Sequence, residues 1–412
     1  MSSASEAYRR KVAVEERFVR VGEGRYRLDV REFGVSFEID RLRRESGALV
    51  GELVVHCEIP GARTFDGVLT AGDLNLSSVR ARQDRGKYLS DRAGTPDVDF
   101  VGLLEELAQR VIAKEREGEP GVLLRELPRP TADDAIRVEG LPLLRRHPVM
   151  VFGDGGAAKS YIALYLAGRL EQMGIHVGLF DWELSGEDHR DRLERIFGPQ
   201  MPGIFYARCS RPLVHEADRL RRFVQDESLD FVVFDSVAFA CDGPPEAAEV
   251  AGRYFQTLRQ LGTFGSLQIA HISKAEGSDQ KPFGSAFWHN GSRATWFVKL
   301  ADEMPESKTI TVGLYNRKAN LGARKPAVGF KITFGDERTD FRPVNVADVP
   351  DLAGQLSVRQ RMALMLRGGS RPAEELAEEL QADPETIKRT ARRYKDQFTV
   401  LNGGKLGLAA RP

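Results

Sequence analysis

Residues 153–160 read Gly-Asp-Gly-Gly-Ala-Ala-Lys-Ser, directly after an apolar run from Val149 to Phe152 and directly before a helical pattern carrying Ile162, Leu164, Leu166 and Leu170. Strand, glycine-rich loop and helix in that order make a phosphate cradle. Small residues let successive backbone N–H groups wrap a β-phosphate, a lysine reaches the β- and γ-phosphates, and a hydroxyl at the helix start ligates Mg²⁺. Gly153, Asp154, Gly155, Gly156, Ala157, Ala158, Lys159, Ser160 and Tyr161 are therefore the candidate nucleotide-binding residues, with ATP and Mg²⁺ as cofactors. Ala158 stands where a glycine usually precedes the lysine, and its Cβ tightens the loop. A glycine turn that binds nothing is the alternative, and a Lys-Ser pair at the start of a helix argues against it.

Three further apolar runs end in polar residues. HVGLFDWE places Asp181 and Glu183 at a strand end, where ligands lie in open α/β sheets. Glu183 can polarise an attacking water, whereas Asp181 reads rather as a cap or salt-bridge partner of the next helix. LDFVVFDS ends in Asp235-Ser236, and its aspartate suits the Mg²⁺ shell, so Ser160 and Asp235 are the candidate metal ligands. SLQIAHIS ends at His271, a candidate γ-phosphate sensor or a satisfied structural histidine. An extra strand with its own glutamate between the two phosphate-site motifs is the arrangement of additional-strand ATPases rather than of nucleoside-monophosphate kinases.

The series GDGGAAKS, LFDWE, VVFDS, IAHISK and KPFGSAFWHNGSRATW, spread over roughly residues 137–335, resembles the RecA/DnaB superfamily, and within it the plasmid RepA-type hexameric helicases and related phage or mobile-element ATPases. The resemblance implies a RecA-like, mostly parallel sheet with helices on both faces. It implies Glu183 as the catalytic glutamate, Lys159 and His271 as its companions in catalysis, and ATP bound between subunits of a homo-oligomer, a hexamer or a filament. A basic residue from the neighbouring subunit completes such a site; Arg317 and Lys318, in TITVGLYNRKANLGARK, are the matching candidates. A solvated basic hairpin between two strands is the other reading of that segment. In the resembling proteins, loops around 273–283 touch single-stranded DNA, which points to Lys274 and Lys281, with Phe283 as a candidate stacking residue, and to Arg293 beyond them.

The flanking segments frame this centre. Residues 1–117 read as a small α+β unit of unknown role, with strands in RYRLDV, GVSFEIDRLRR and GALVGELVVHCEI, a hairpin at Arg44–Gly47 and two helices after them. Residues 118–136 read as a Pro-containing linker, 137–350 as the RecA-like unit and 351–412 as a winged helix: three helices, the second capped by Ser370 and the third by Asp383 with Pro384 in its first turn, then a hairpin around Asn402-Gly403-Gly404. Lys388, Arg389, Arg392 and Arg393 on the third helix are candidate DNA contacts. From Gln355 onward Lys and Arg number 11 against 7 acids, a net +4.

The whole chain of 412 residues has 60 basic and 60 acidic side chains. That balance excludes a uniformly basic nucleic-acid coat protein and leaves room for local basic strips. No stretch is apolar enough for a membrane span, and the three cysteines, Cys57, Cys209 and Cys241, read as reduced and buried, the usage of a cytoplasmic protein. These readings lead to an ATP-hydrolysing DNA motor, a helicase or translocase in mobile-element replication. The rival is a non-motor ATP switch or a filament-forming DNA-binding protein.

Overall fold

A computed structural model describes residues 17–117, 121–129, 135–262, 264–272, 282, 286–301, 307–320 and 322–409. The chain divides into two compact units, Met1–Arg129 and Pro130–Pro412. Lys274, Lys281 and Phe283 lie outside the described residues.

The first unit is an antiparallel meander of β1 (Phe18–Gly22), β2 (Arg25–Val30), β3 (Val35–Glu45), β4 (Ala48–Cys57) and β5 (Val68–Asn75), followed by α1 (Val79–Ala93) and α2 (Phe100–Glu117). Strict alternation puts Tyr26, Leu28, Phe37, Ile39, Leu53 and Val55 on one face, where they pack with Leu89, Phe100, Leu104, Leu107 and Val111 of the helices. Ser46 and Gly47, both with positive φ (48° and 85°), form the tight turn between β3 and β4.

The second unit opens with a hairpin, β6 (Ala135–Val138) and β7 (Leu141–Leu144), which begins inside the span that the sequence reads as linker. Then follow β8 (Pro148–Gly153), α3 (Lys159–Gln172), β9 (Val177–Asp181), α4 (Gly186–Phe197), β10 (Phe205–Arg208), α5 (Leu213–Asp226), β11 (Phe231–Asp235), α6 (Val237–Ala240), α7 (Ala248–Gln260), β12 (Gly265–His271), α8 (Ala286–Gly291), β13 (Ala294–Leu300), β14 (Thr309–Ala319), β15 (Val328–Phe334) and β16 (Thr339–Val344). The sheet order is β10-β9-β11-β12-β8-β13-β14-β15-β16, parallel through β13 and antiparallel beyond it. The central strands are apolar on both faces because both are covered. Met150, Phe152, Phe180, Val232 and Phe234 face α5 and α7, while Val149, Val151, Leu179, Phe231 and Val233 face α3 and α4.

Two boundaries differ from the sequence reading. Arg317 and Lys318 lie within β14, whose pairing with β13 continues past a bulge at Thr295/Trp296, and not in a hairpin loop. The large-sheet core also runs beyond residue 350: Leu352 and Leu356, with α9 (Pro350–Ala353), pack into it.

The last segment packs three helices and a short hairpin around its own apolar cluster. It contains α10 (Val358–Met365), α11 (Ala373–Leu380), α12 (Pro384–Arg393), β17 (Phe398–Val400) and β18 (Leu406–Leu408). Asp383 caps α12 by accepting from Glu385 N at 3.2 Å. The residue at the N-cap of α11 is Pro372, not Ser370, because Arg371 is drawn into a bridge with Leu406 beside the hairpin.

Candidate nucleotide-binding and hydrolysis site

The cradle is built by β8 and α3. At Gly153 a Cβ would lie 2.5 Å from the Val298 carbonyl oxygen of β13, so only glycine lets the two strands close at the loop root. Gly156 and Ala158 are both left-handed, with φ of 78° and 53°. Alternating handedness in such a loop turns successive N–H groups toward one concavity. Ala158 bears this conformation with a Cβ, at a cost of about 1–2 kcal/mol. Lys159 opens α3, and its Nζ donates to Gly153 O (3.0 Å) and Asp154 O (2.6 Å). Burial lowers its pKa, against the pull of Asp235, Glu183 and Asp154.

Four parallel strands deliver the remaining groups to the same edge. His271, at the end of β12, is in register with Gly153. Asp235, at the end of β11, is in register with Asp181 of β9. Asp235 is buried, and burial raises its carboxyl to about 6 although the Ser160 hydroxyl bonds it. Its Oδ1 has no hydrogen-bond partner among the described residues. An orphaned carboxylate oxygen beside a helix-start hydroxyl fits a hydrated Mg²⁺, which needs only one or two protein oxygens when phosphates and waters supply the rest. Among the described residues no cluster of three or more His, Cys, Asp or Glu could hold a metal by itself.

Glu183 is held from two sides. The Ser236 hydroxyl donates to its Oε1 at 2.7 Å, and His271 Nε2 lies 3.8 Å from the same oxygen. The His271 imidazole, then the Ser236 hydroxyl, lower the Glu183 pKa against burial. The carboxylate is thus ionised and able to orient or deprotonate a water.

Asp181 has a different task. It is fully buried and accepts from the N–H groups of Glu183 and Leu184 (both 3.0 Å), the Tyr206 hydroxyl (2.9 Å) and Arg208 (3.1 Å). Burial alone would raise its pKa; His189, those N–H groups and Tyr206 pull it to about 2. Asp181 fixes the turn that presents Glu183, in agreement with its reading as a capping residue.

A cavity of about 360 Å³ lies over the loop, lined by Lys159, Ser160, Tyr161, Glu183, His271 and, on α4, Arg192. Arg192 places its guanidinium 4.6 Å from the Tyr161 ring centre, and Tyr161 meets Phe334 edge-on at 5.1 Å. Sequence reasoning misses Arg192 and the part played by Ser236. The first sits among several arginines of one helix, whereas the second follows Asp235 directly and is open to notice.

The other predicted residues lie elsewhere. Arg293, Arg317 and Lys318 gather where β13 begins and β14 ends, the sheet edge opposite Lys159. Arg317 donates to Gln355 Oε1 (2.7 Å) and lies over Phe297 and Tyr315. Lys318 Nζ donates to the carbonyls of His289 (2.6 Å), Asn290 (3.1 Å) and Ser292 (2.8 Å), closing the C-terminal end of α8. Neither reaches the cavity of its own chain, and both are engaged within it. On and around α12, Lys388 pairs with Glu374 (2.8 Å), Arg392 lies 3.7 Å from Glu385, Arg389 contacts Thr386 and Arg393 lies over Tyr394.

Strand order, loop and converging acids define an α/β fold of the RecA-like, P-loop type. No protein-family model and no curated protein matches the chain. Among solved structures it is similar to the ATPase domain of a DnaB-like helicase, at 14% identity and a TM-score of 0.38, over 49% of this chain and 86% of that one. It is also similar to the KaiC-like protein PH0186 from the hyperthermophilic archaeon Pyrococcus horikoshii OT3, at 16% identity and a TM-score of 0.39, over 51% of this chain and all of that one. Likenesses this distant carry no assignment of role, which rests on the site geometry.

Among the described residues no helix is long and apolar enough to cross a membrane, and Cys57, Cys209 and Cys241 are buried free thiols.

Proposed function

We propose that the chain is a Mg²⁺-dependent ATPase that works on DNA as a homo-oligomer, a hexameric helicase or translocase of the kind that replicates mobile elements. The observation that carries the ATPase reading is the convergence of Lys159, Ser160, Asp235, Glu183 and His271 on one sheet edge beside one cavity. In this scheme the loop N–H groups and Lys159 bind and orient the phosphates, while Ser160 and Asp235 hold Mg²⁺, which when bound neutralises phosphate charge. Glu183, steadied by Ser236, positions the water and takes its proton. Arg192 supplies a cation within the same chain. Arg317 and Lys318 face away from that cavity, which leaves a neighbouring subunit's site as the place where they would act in catalysis. Arg293, Lys274 and Lys281 near the sheet, and Lys388, Arg389, Arg392 and Arg393 of a C-terminal winged helix, are the proposed DNA contacts.

The test is the ATPase rate with and without single-stranded DNA, with mass measurement in the presence of nucleotide. DNA-stimulated turnover by a hexamer supports the reading; absence of turnover that depends on Lys159 refutes it. Strand displacement on a forked duplex separates the motor from an ATP switch or filament that binds DNA without moving along it.

A further inference from the structure

At one corner of the first unit, the loop before β5 and the helix α1 expose two aromatic rings. Phe65 is 80% exposed and Tyr88 46% exposed. Phe65 is not on a slack loop: it bridges to Val68 across a tight turn with Asp66 and Gly67 at φ of 49° and 75°. The loop is fastened to α1 from both sides, since Arg63 N donates to Arg92 O at 2.8 Å and the Arg92 guanidinium donates back to Arg63 O. Arg92 also lies 5.7 Å from the Tyr88 ring centre.

The cations at this corner differ from those on the open sheet face. There, arginines are matched with carboxylates: Arg27 with Asp29, Arg41 with Glu52 and Arg43 with Asp73. Here Arg63 donates to the Asp91 carbonyl, Arg85 to Thr70 Oγ1 and the Asp73 carbonyl, and Arg92 to the Arg63 carbonyl, all neutral acceptors. Among the described residues none of these three, nor Lys87, has a carboxylate within ion-pairing distance, and Arg92 Nε is buried without an acceptor. Asp66 and Asp91 are the carboxylates nearby in the chain, two against four cations.

Uncompensated positive charge beside exposed aromatic rings matches a ligand with both phosphates and accessible ring faces. Duplex nucleic acid hides its base faces, and an acidic peptide has no use for two exposed rings. We propose that this corner binds single-stranded nucleic acid, with Phe65 and Tyr88 stacking on bases and Arg63, Arg85, Lys87 and Arg92 holding phosphates. Stacking of this kind tolerates any base and gains its strength from the rings together with phosphate neutralisation. The contact stands apart from the ATPase reading and needs no nucleotide.

The experiment uses the full chain without ATP, fluorescein-labelled dT20 and U20, and anisotropy over a salt series, with 5-iodouracil-substituted strands for photo-crosslinking. Binding of either strand, with crosslinks in peptides containing Phe65 or Tyr88, is the expected result. Phe65→Ala and Tyr88→Ala should each weaken binding by about tenfold without changing its salt slope, whereas Lys87→Ala should reduce that slope by about one. Binding of neither strand, preference for duplex, crosslinks confined to residues beyond 129, or wild-type affinity in a folded Phe65→Ala/Tyr88→Ala double variant would each overturn the proposal. Lys159→Ala should crosslink as the wild type does, so that failure of the ATP site and failure of this surface are read separately.

Discussion

The Ser236 hydroxyl donates to Glu183 Oε1 at 2.7 Å, linking the residue after the β11 aspartate to the acid beyond β9. The bond fixes one carboxylate oxygen at the wall of the cavity that Glu183 lines. It also lowers the Glu183 pKa, so its removal raises that pKa and moves the acidic limb of the rate profile to higher pH. Glu183→Gln should lose roughly 10²–10⁴-fold in kcat while still binding nucleotide. Ser236→Ala should lose about tenfold, with the shifted limb as its signature and the affinity for a fluorescent ATP analogue unchanged. Near-wild-type turnover by Glu183→Gln would remove its catalytic assignment, and an unmoved pH limb in Ser236→Ala would reduce that bond to a structural one.

Ala158 adopts a left-handed conformation at φ 53° in the middle of the phosphate loop. Glycine there relieves a Cβ clash but brings a more disordered unfolded chain, and the two effects oppose each other. The clash is the larger, so Ala158→Gly should stabilise the fold by about 0.5–1 kcal/mol in urea denaturation. Ala158→Val, branched at the wrong place, should destabilise it by at least about 2 kcal/mol. A glycine variant less stable than the wild type would show that the loop is not strained at this residue.

Asp181 contributes stability with a defined pH signature. Its folded pKa of about 2 lies below its ordinary value near 3.8. A depressed carboxyl stabilises the fold fully above the unfolded pKa, and that stabilisation fades as pH falls from about 4 toward 2. The expected size is on the order of 2 kcal/mol. Asp181→Asn should therefore flatten the stability profile in this window, measured by denaturant titration from pH 6 down to 2.5. A wild-type slope in the variant would mean that other carboxyls carry the acid sensitivity.

The parts of this site that are legible in the sequence are those where burial and chemistry meet. Buried parallel strands are continuous apolar runs, so the residues that end them, Gly153, Asp181, Asp235 and His271, stand out as breaks in pattern. β1 and β5 are harder to see because edge strands are half-exposed and their sequences, FVRVG and VLTAGDLN, lack a run of buried positions. Arg192 is illegible for another reason. Along α4, Arg190 pairs with Glu194 and Arg195 with Asp191 one turn away, while Arg192 turns to Tyr161; only three-dimensional packing separates the three. The engagement of Lys318 is hidden because its partners are backbone carbonyls, which no side-chain pattern announces.

Lys318 decides between a structural and a catalytic role for the basic end of β14. Its ammonium donates to three carbonyls around the end of α8, and burial, then the charge of Arg293, lowers its pKa. Removing it leaves those carbonyls without their charged donor, a loss of roughly 1.5–3 kcal/mol. If its work is confined to its own chain, Lys318→Ala should lower the melting temperature by several degrees, and the residual folded enzyme at low temperature should hydrolyse ATP at the wild-type rate. If instead it completes a neighbour's site, kcat should fall by about 10³-fold or more in protein that is still folded and oligomeric. Mixing Lys318→Ala with Glu183→Gln subunits sharpens the comparison. In mixed assemblies a cation acting across subunits regains activity where a Glu183→Gln subunit lends its Lys318 to a neighbour with an intact Glu183, and a cation acting only within its own chain gives no more than the average of the two parents.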